Sequence, residues 1–477
     1  MKSYYILKPK NLNLEYLITK YTPDFKSNID FAYLIIHFVI MYQNDSTNMN
    51  SVRLSSTYLQ KFNRIYNKHI RFLIENYPND GAVLRGTKYS KGKPYGYKLP
   101  KFYFNCDLEI YEIKDAVLLR KMNHIFPQNK TNENVRTYYY FLLKFFKSNK
   151  LTVYEPSLLM EQLNNMLDKK KSLRNAKNIL KTMNQQFRCS LNTKKDGRVH
   201  SNITQLSKIA RNHLQYDGEF LAEVDISSAV PYFLFITMDS YLNNNLVYIH
   251  NNFQYNNTIT YMLDEISGDI EKSDVYSFGK SIIERQIYQQ FADMIFNEDF
   301  YSSKGFDFEK VMEHYNHYFK KQFGYNFDGD CADQLKFAKK RMLSMLFAST
   351  SIYKYEQSVF GSLFPKVLKF INEFKNVQQY KEDENLKWSN SKKHKKLSYF
   401  CFQFEAKVMI DKIAREYDKL KKGKVPIFTL HDCLITTCSQ VEELKEFMEN
   451  KFIEIFGVAP NLTIEKSQFS TDYSKAS

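Results

Sequence analysis

Two short apolar, β-branched runs, Leu221-Ala-Glu-Val-Asp225-Ile-Ser-Ser and Ile427-Phe-Thr-Leu-His431-Asp432-Cys-Leu-Ile, each deliver an aspartate where a strand would give way to a sheet edge or turn. Between them, Leu335-Lys336-Phe-Ala-Lys339-Lys340-Arg341-Met-Leu343-Ser-Met-Leu-Phe347-Ala348 repeats its apolar positions with helical period. Lys339, Leu343 and Phe347 are four apart and share one face of that helix. Lys339 and Arg341, two apart, diverge, so only one of them can face a given site, and Lys339 is chosen. Upstream, residues 111–190 are helical and basic. Tyr138-Tyr-Tyr-Phe-Leu-Leu-Lys-Phe-Phe-Lys is followed by Leu167-Asp-Lys-Lys-Lys-Ser-Leu-Arg-Asn-Ala-Lys-Asn-Ile-Leu-Lys, with the lysines opposite the apolar stripe. Val441-Glu-Glu-Leu-Lys-Glu-Phe-Met-Glu reads as a closing helix and Pro460-Asn-Leu-Thr-Ile-Glu as a closing strand.

Two segments break the pattern. Arg85 to Lys98, rich in Gly, Lys and Tyr, reads as a solvated loop. Residues 376–398 carry Lys-Glu-Asp-Glu-Asn-Leu-Lys-Trp-Ser-Asn-Ser-Lys-Lys-His-Lys-Lys, almost without apolar content, and read as a charged insertion. Asp107 and Glu109 have the Asp-x-Glu spacing of a metal-dependent exonuclease but no further acidic company. They read as solvent-facing acids on an ordinary strand.

Composition narrows the class. At 477 residues, 43% apolar and 16% aromatic, the chain can build two to four domains with cores. A net charge of +16 fits a polyanionic partner, with nucleic acid the commonest. The six cysteines form no Cys-x-x-Cys pair and no zinc spacing, so they read as free thiols. Met-Lys-Ser-Tyr-Tyr lacks the layout of a signal peptide, and the best apolar run, Phe31 to Tyr42, is interrupted by His37 and too short for a bilayer. A cytoplasmic protein without membrane attachment is expected. There is no Gly-x-x-x-x-Gly-Lys loop, which argues against a P-loop ATPase.

Asp196-Gly197-Arg198-Val-His200, continuing through Lys208, Arg211 and His213 into the first aspartate strand, groups phosphate-binding residue types beside a potential metal site. Taken together, these segments resemble the family A DNA polymerases and the single-subunit RNA polymerases of phage and mitochondria. Asp225 stands for the aspartate of motif A and His431-Asp432 for the His-Asp of motif C. Lys339, followed eight positions later by Phe347-Ala348, stands for the motif B lysine with its Tyr-Gly. Gly197-Arg198 resembles the Gly-Arg element that precedes motif A. The likeness covers roughly residues 190–477. It departs from the pattern at Leu335, where an arginine is usual and adjacent Lys336 is the substitute, at Phe347-Ala348, at Cys433, and at Val230-Pro231, where DNA polymerases carry a glutamate that helps exclude ribonucleotides. The stretch from Asp225 to Lys339 is also longer than in the DNA polymerases.

The resemblance implies an α+β, right-hand fold of palm, fingers and thumb with an N-terminal, mainly helical region. Its parts would be residues 1–110 of undefined role, a basic thumb-like region at 111–190, a first palm segment at 191–238, fingers with an insertion at 239–375, the charged insertion, and a second palm segment at 399–477. It implies two Mg²⁺ ions, with Mn²⁺ a possible substitute, held by Asp225, Asp432 and the Ile226 carbonyl. Lys339, Phe347, Leu343 and Arg341 are the nucleotide-binding candidates, and Arg198, His431, Lys336 and Arg211 the primer, template or phosphate candidates. The expected activity is template-directed nucleotide addition on a DNA primer-template with dNTPs. DNA synthesis is preferred because so short a chain has little room for promoter recognition, with RNA templates or NTPs the alternative. Two other classes stay open: a metal-dependent nuclease using the same carboxylates, and a nucleic-acid-binding protein of replication or antiviral defence whose chemistry is altered.

Overall fold

The computed structural model describes residues 3–42, 51–87, 94–126, 129–131, 133–192, 195–243, 270–327, 331–376 and 394–470. Residues 377–393 of the charged insertion therefore lie outside the described residues, as does the middle of the Arg85–Lys98 segment. The chain is mixed α+β with helix predominating, and it divides into two compact units: residues 1–190, 200–222 and 466–477 in the first, 191–199 and 223–465 in the second.

In the first unit, β1 (Tyr4–Pro9) carries the aromatic and apolar residues that favour strands. The helix α1 (Ile29–Tyr42) is buried along most of its length. β2 (Leu108–Ile113) pairs antiparallel with β1, Ile6 opposite Tyr111. Residues on both sides of position 110 thus belong to one unit, because β2 spans that position and pairs with β1 along its length. Lys8 pairs with Glu109, the ordinary strand role expected of that acid. The buried Asp30 accepts from Tyr111 Oη (2.6 Å) and from the Lys114 (2.7 Å) and Asp115 (2.5 Å) N–H groups, which ties α1 to the start of α2 (Ala116–Ile125). β3 (Leu151–Val153) is followed by α3 (Lys169–Met183), whose Asp168 cap accepts from Lys171 N–H, and by β4 (Phe187–Leu191). β5 (Leu214–Tyr216) pairs with β3 and with the first residues of β6 (Glu219–Ile226).

The second unit takes over at Glu223. After the turn that closes β6, α4 (Ala229–Leu242) is apolar on nearly every face and buried. α5 (Lys272–Ile283) packs on it with Gly279 against the ring of Phe235. A Cβ at Gly279 would overlap that ring, so Gly279→Ala is expected to cost about 1–3 kcal/mol, read as a lower urea midpoint with an unchanged m-value. α6 (Ile287–Ile295), α7 (Phe308–Phe323), α8 (Cys331–Phe347) and α9 (Lys354–Leu363) follow. α10 (Lys395–Ala406) continues into a π-helical segment, Lys407–Ala414. The hairpin of β7 (Phe428–Leu430) and β8 (Cys433–Thr437) has a two-residue turn, His431-Asp432. α11 (Val441–Phe456) and β9 (Leu462–Lys466) complete the unit. β6 is hydrogen-bonded to both β8 and β9.

Among the described residues no helix is long and apolar enough to cross a membrane. Cys106, Cys189, Cys401, Cys433 and Cys438 are free thiols.

Candidate active site

Strand order brings the two aspartates together. Because β8 lies beside β6, Ile226 N–H donates to the Asp432 carbonyl at 3.2 Å, so the end of one strand meets the turn of the other. On the far side of Ile226, Ser227 N–H donates to the Asn461 carbonyl (2.9 Å), and the Asn461 side chain reaches the Ile283 carbonyl (2.6 Å). This pins the turn after β6 from both directions. His431 occupies the first turn position with φ 55°, and Ser228, three residues after Asp225, has φ 62°. Left-handed backbone at non-glycine residues on both chain reversals is local strain of the kind that gathers at functional sites.

The electrostatics are those of a site short of positive charge. Burial, then the charges of Asp432, Glu465 and Glu223, push the Asp225 carboxyl up to about 7, against the pull of Lys339. Burial also raises Asp432, which Arg198 and Lys339 draw back down. Glu405, on α10, is raised to about 7 by burial, with Asp432 and Asp225 adding to the effect while Arg198 opposes it. Five carboxylates and two cations thus act on one another inside the second unit.

Arg198 is held rather than free to roam. Its Nε and Nη2 form a two-pronged contact with Glu405, at 2.8 and 2.7 Å, and its guanidinium lies 4.1 Å from the Phe402 ring centre. Glycine is needed at position 197: φ is +65°, and a Cβ there would approach the Gln403 backbone at 3.4 Å. The Gly197-Arg198 element therefore lies against α10, with Gln403 Nε2 donating to the Lys195 carbonyl (2.6 Å). Sequence reasoning placed Arg198 near the aspartates without naming its partner. The signal was a lone glutamate within Phe400-Cys-Phe-Gln-Phe-Glu405, since an acid inside an apolar helical run must find a cation.

Lys339 rises from α8 with its ammonium 5.1 Å from the Tyr288 ring. The Tyr288 hydroxyl is pushed up to about 12 by burial, against a hydrogen bond with Ser228. Lys336, Lys339, Lys340, Leu343, Ser344 and Phe347 line an open hollow of about 420 Å³ with no acidic residue in its wall. Phe347 meets Phe402 edge to face at 5.3 Å, linking this hollow to the ring beneath Arg198. Lys336 also contacts Asp333 at 3.2 Å.

Three sequence candidates go elsewhere. Arg341 turns inward, away from Lys339, because two positions on an α-helix rotate a side chain past the opposite face. It is buried against Glu356, 2.6 Å from its Nε, between the rings of Tyr318 and Tyr353. Arg211 belongs to the first unit, where its Nη1 donates to the Leu206 carbonyl (2.9 Å). His213 is a core histidine of that unit, fully buried and hydrogen-bonded to the Tyr154 carbonyl (2.8 Å) and the Gln162 side chain (3.2 Å).

Among the described residues no three His, Cys, Asp or Glu side chains surround one point. The donor set on offer is two carboxylates and the Ile226 backbone carbonyl, all hard oxygen atoms of the kind that Mg²⁺ prefers. The unrelieved negative charge on Asp225 fits a divalent cation. Mg²⁺ is therefore expected to raise the melting temperature of the protein but not that of Asp225→Asn. Without metal, Asp225→Asn should itself melt a few degrees above the parent, since the substitution removes a carboxylate repelled by its neighbours. Thermal melts of both proteins with and without MgCl₂ check this.

No protein-family model matches the chain, and no curated protein matches it at a significant level.

Proposed function

We propose that the protein is a template-directed nucleotidyltransferase, a DNA polymerase by preference, with the palm, fingers and thumb organisation of the family A and single-subunit polymerases. The observation that carries this reading is the convergence of Asp225, Asp432, Arg198 and Lys339 within the second unit, with Lys339 shared between the carboxylates and the cationic hollow. A nuclease has use for the carboxylates. It has none for a lysine-lined hollow beside them that ends in an aromatic residue.

On this reading Asp225, Asp432 and the Ile226 carbonyl would hold two Mg²⁺ ions. When bound, these lower the pKa of the primer 3′-hydroxyl and offset charge on the departing pyrophosphate. Lys339 and Lys336 neutralise the triphosphate before and during transfer. Leu343 and Phe347 offer the incoming base an apolar and aromatic surface one and two turns along the same helix. Arg198, fixed by Glu405 and Phe402, holds a directed positive charge near Asp432 for the primer end. His431 stands next to Asp432 on the turn, placed to contact the same strand.

Extension of a labelled primer on DNA and RNA templates, with dNTPs and NTPs supplied separately, tests the activity and the sugar together. Template-copied product from dNTPs supports the reading. Shortened primer in place of extension would transfer the carboxylates to hydrolysis.

A further inference from the structure

The first unit contains a cavity lined by none of the residues assigned to the site above. α1, α3, the starts of β1 and β4 and the end of α2 border a partly open cavity of about 450 Å³, the size range of small-ligand sites. α1 contributes His37, Phe38, Met41 and Tyr42, α3 contributes Lys177, Leu180 and Lys181, and Arg188 comes from β4 and Phe126 from the C-terminal end of α2. Among the described residues three cations line it and no carboxylate does. Lys177 and Lys181, four apart, share one face of α3. Lys177 Nζ donates to the Met41 carbonyl at 2.8 Å, which anchors it at the end of α1. Burial, and secondarily the charge of Arg188, lower the pKa of Lys181, as expected where like charges share a wall without an anion.

His37 supplies a directed donor. Leu7 N–H donates to its Nδ1 at 3.0 Å, so the neutral ring must carry its proton on Nε2. Burial, with Lys177 adding, holds the imidazole neutral by lowering its pKa to about 3. His37 is buried yet lines the cavity. Part of the remaining wall is aromatic: Phe126 stacks on Tyr4 at 5.8 Å and meets Phe38 edge to face at 6.4 Å.

We infer that this cavity binds one nucleotide, its base among Phe38, Phe126 and Tyr42 and its phosphate on Lys177, Lys181 and Arg188, with the His37 Nε2–H as a hydrogen-bond donor. Cations recognise the phosphate, rings the planar base. The volume admits a mononucleotide and not a longer stretch of polymer. The ligand is either a free nucleotide or the phosphorylated terminal nucleotide of a strand. The inference stands whether or not the second unit is a polymerase.

The test uses the full chain carrying Asp225→Asn and Asp432→Asn, so that binding at those carboxylates does not contribute. Fluorescence anisotropy is measured with a labelled mononucleotide and with oligonucleotides that differ only in a terminal phosphate. Arg188 is exposed, so Arg188→Glu is expected to fold normally and to weaken binding about tenfold or more, with Lys181→Gln weakening it less. Tight binding of the mononucleotide with that loss identifies a free nucleotide. Binding only of the phosphorylated oligonucleotide, with the same loss, identifies a strand end. A measurement on the chain without the Arg188 and Lys181 changes follows acylation of Lys181 by mass spectrometry, which the ligand should suppress. Equal affinity in Arg188→Glu, oligonucleotides binding as tightly as the mononucleotide with or without the terminal phosphate, inorganic phosphate binding as tightly as the nucleotide, or unaltered acylation of Lys181 would each overturn the inference.

Discussion

Asp225→Ala and Asp432→Ala are each expected to lower nucleotide addition by about a thousandfold or more, the scale of several kcal/mol of transition-state stabilisation that bound metal supplies. Neither variant should be less stable than its parent. Asp225 and Asp432 both sit where burial penalises their charge, and Asp432, Glu465 and Glu223 further penalise that of Asp225. Removing either one relieves the strain. An inactive protein with an unchanged or raised melting temperature distinguishes a site selected for metal binding from a pair of turn-capping acids, whose loss would lower stability. Single-turnover extension and thermal melts on the same preparations give both readings.

The largest stability effect lies on the opposite face of α8. Arg341 and Glu356 form an ion pair with side chains only 6% and 0% exposed, caged by Tyr315, Tyr318, Phe337 and Tyr353. Arg341→Ala leaves the Glu356 carboxylate buried without its cation and should cost about 3–5 kcal/mol. The double change Arg341→Met with Glu356→Leu removes both charges, keeps most of the volume, and should recover most of that loss. Urea unfolding followed by circular dichroism measures both variants. If Arg341→Ala unfolded at the parent's midpoint, the pair would have no structural role, and Arg341 would return to the list of ligand-facing cations.

Much of the site is local in the sequence and was therefore legible there. A β-branched run ending in an acid predicts a strand that hands its carboxylate to a turn, and β6 and β7 do this for Asp225 and Asp432. Helical period separates Lys339 from Arg341, and α8 places one at the hollow and the other in the core. What depended on tertiary packing was hidden. Nothing near Arg198 in the chain announces Glu405, since the pair forms only when α10 lies against the Gly197 turn. The segment containing Arg211 and His213 looked like part of the phosphate-binding group because it runs directly into β6. Its own strand, β5, pairs with β3 as well as with the first residues of β6, and the segment belongs to the first unit. The basic face of α3 read as a uniform charged stripe. Its fold neighbours divide it, leaving Lys169, Lys170 and Lys171 exposed while Lys177 and Lys181 line a cavity.

The most direct test of the central claim is release of pyrophosphate from dNTPs, measured alongside primer length, with and without template and Mg²⁺. The account predicts one pyrophosphate for each nucleotide added, only when primer, template and Mg²⁺ are all present, and none from Asp225→Ala or Asp432→Ala. Template-directed addition that persists undiminished in both variants would contradict it.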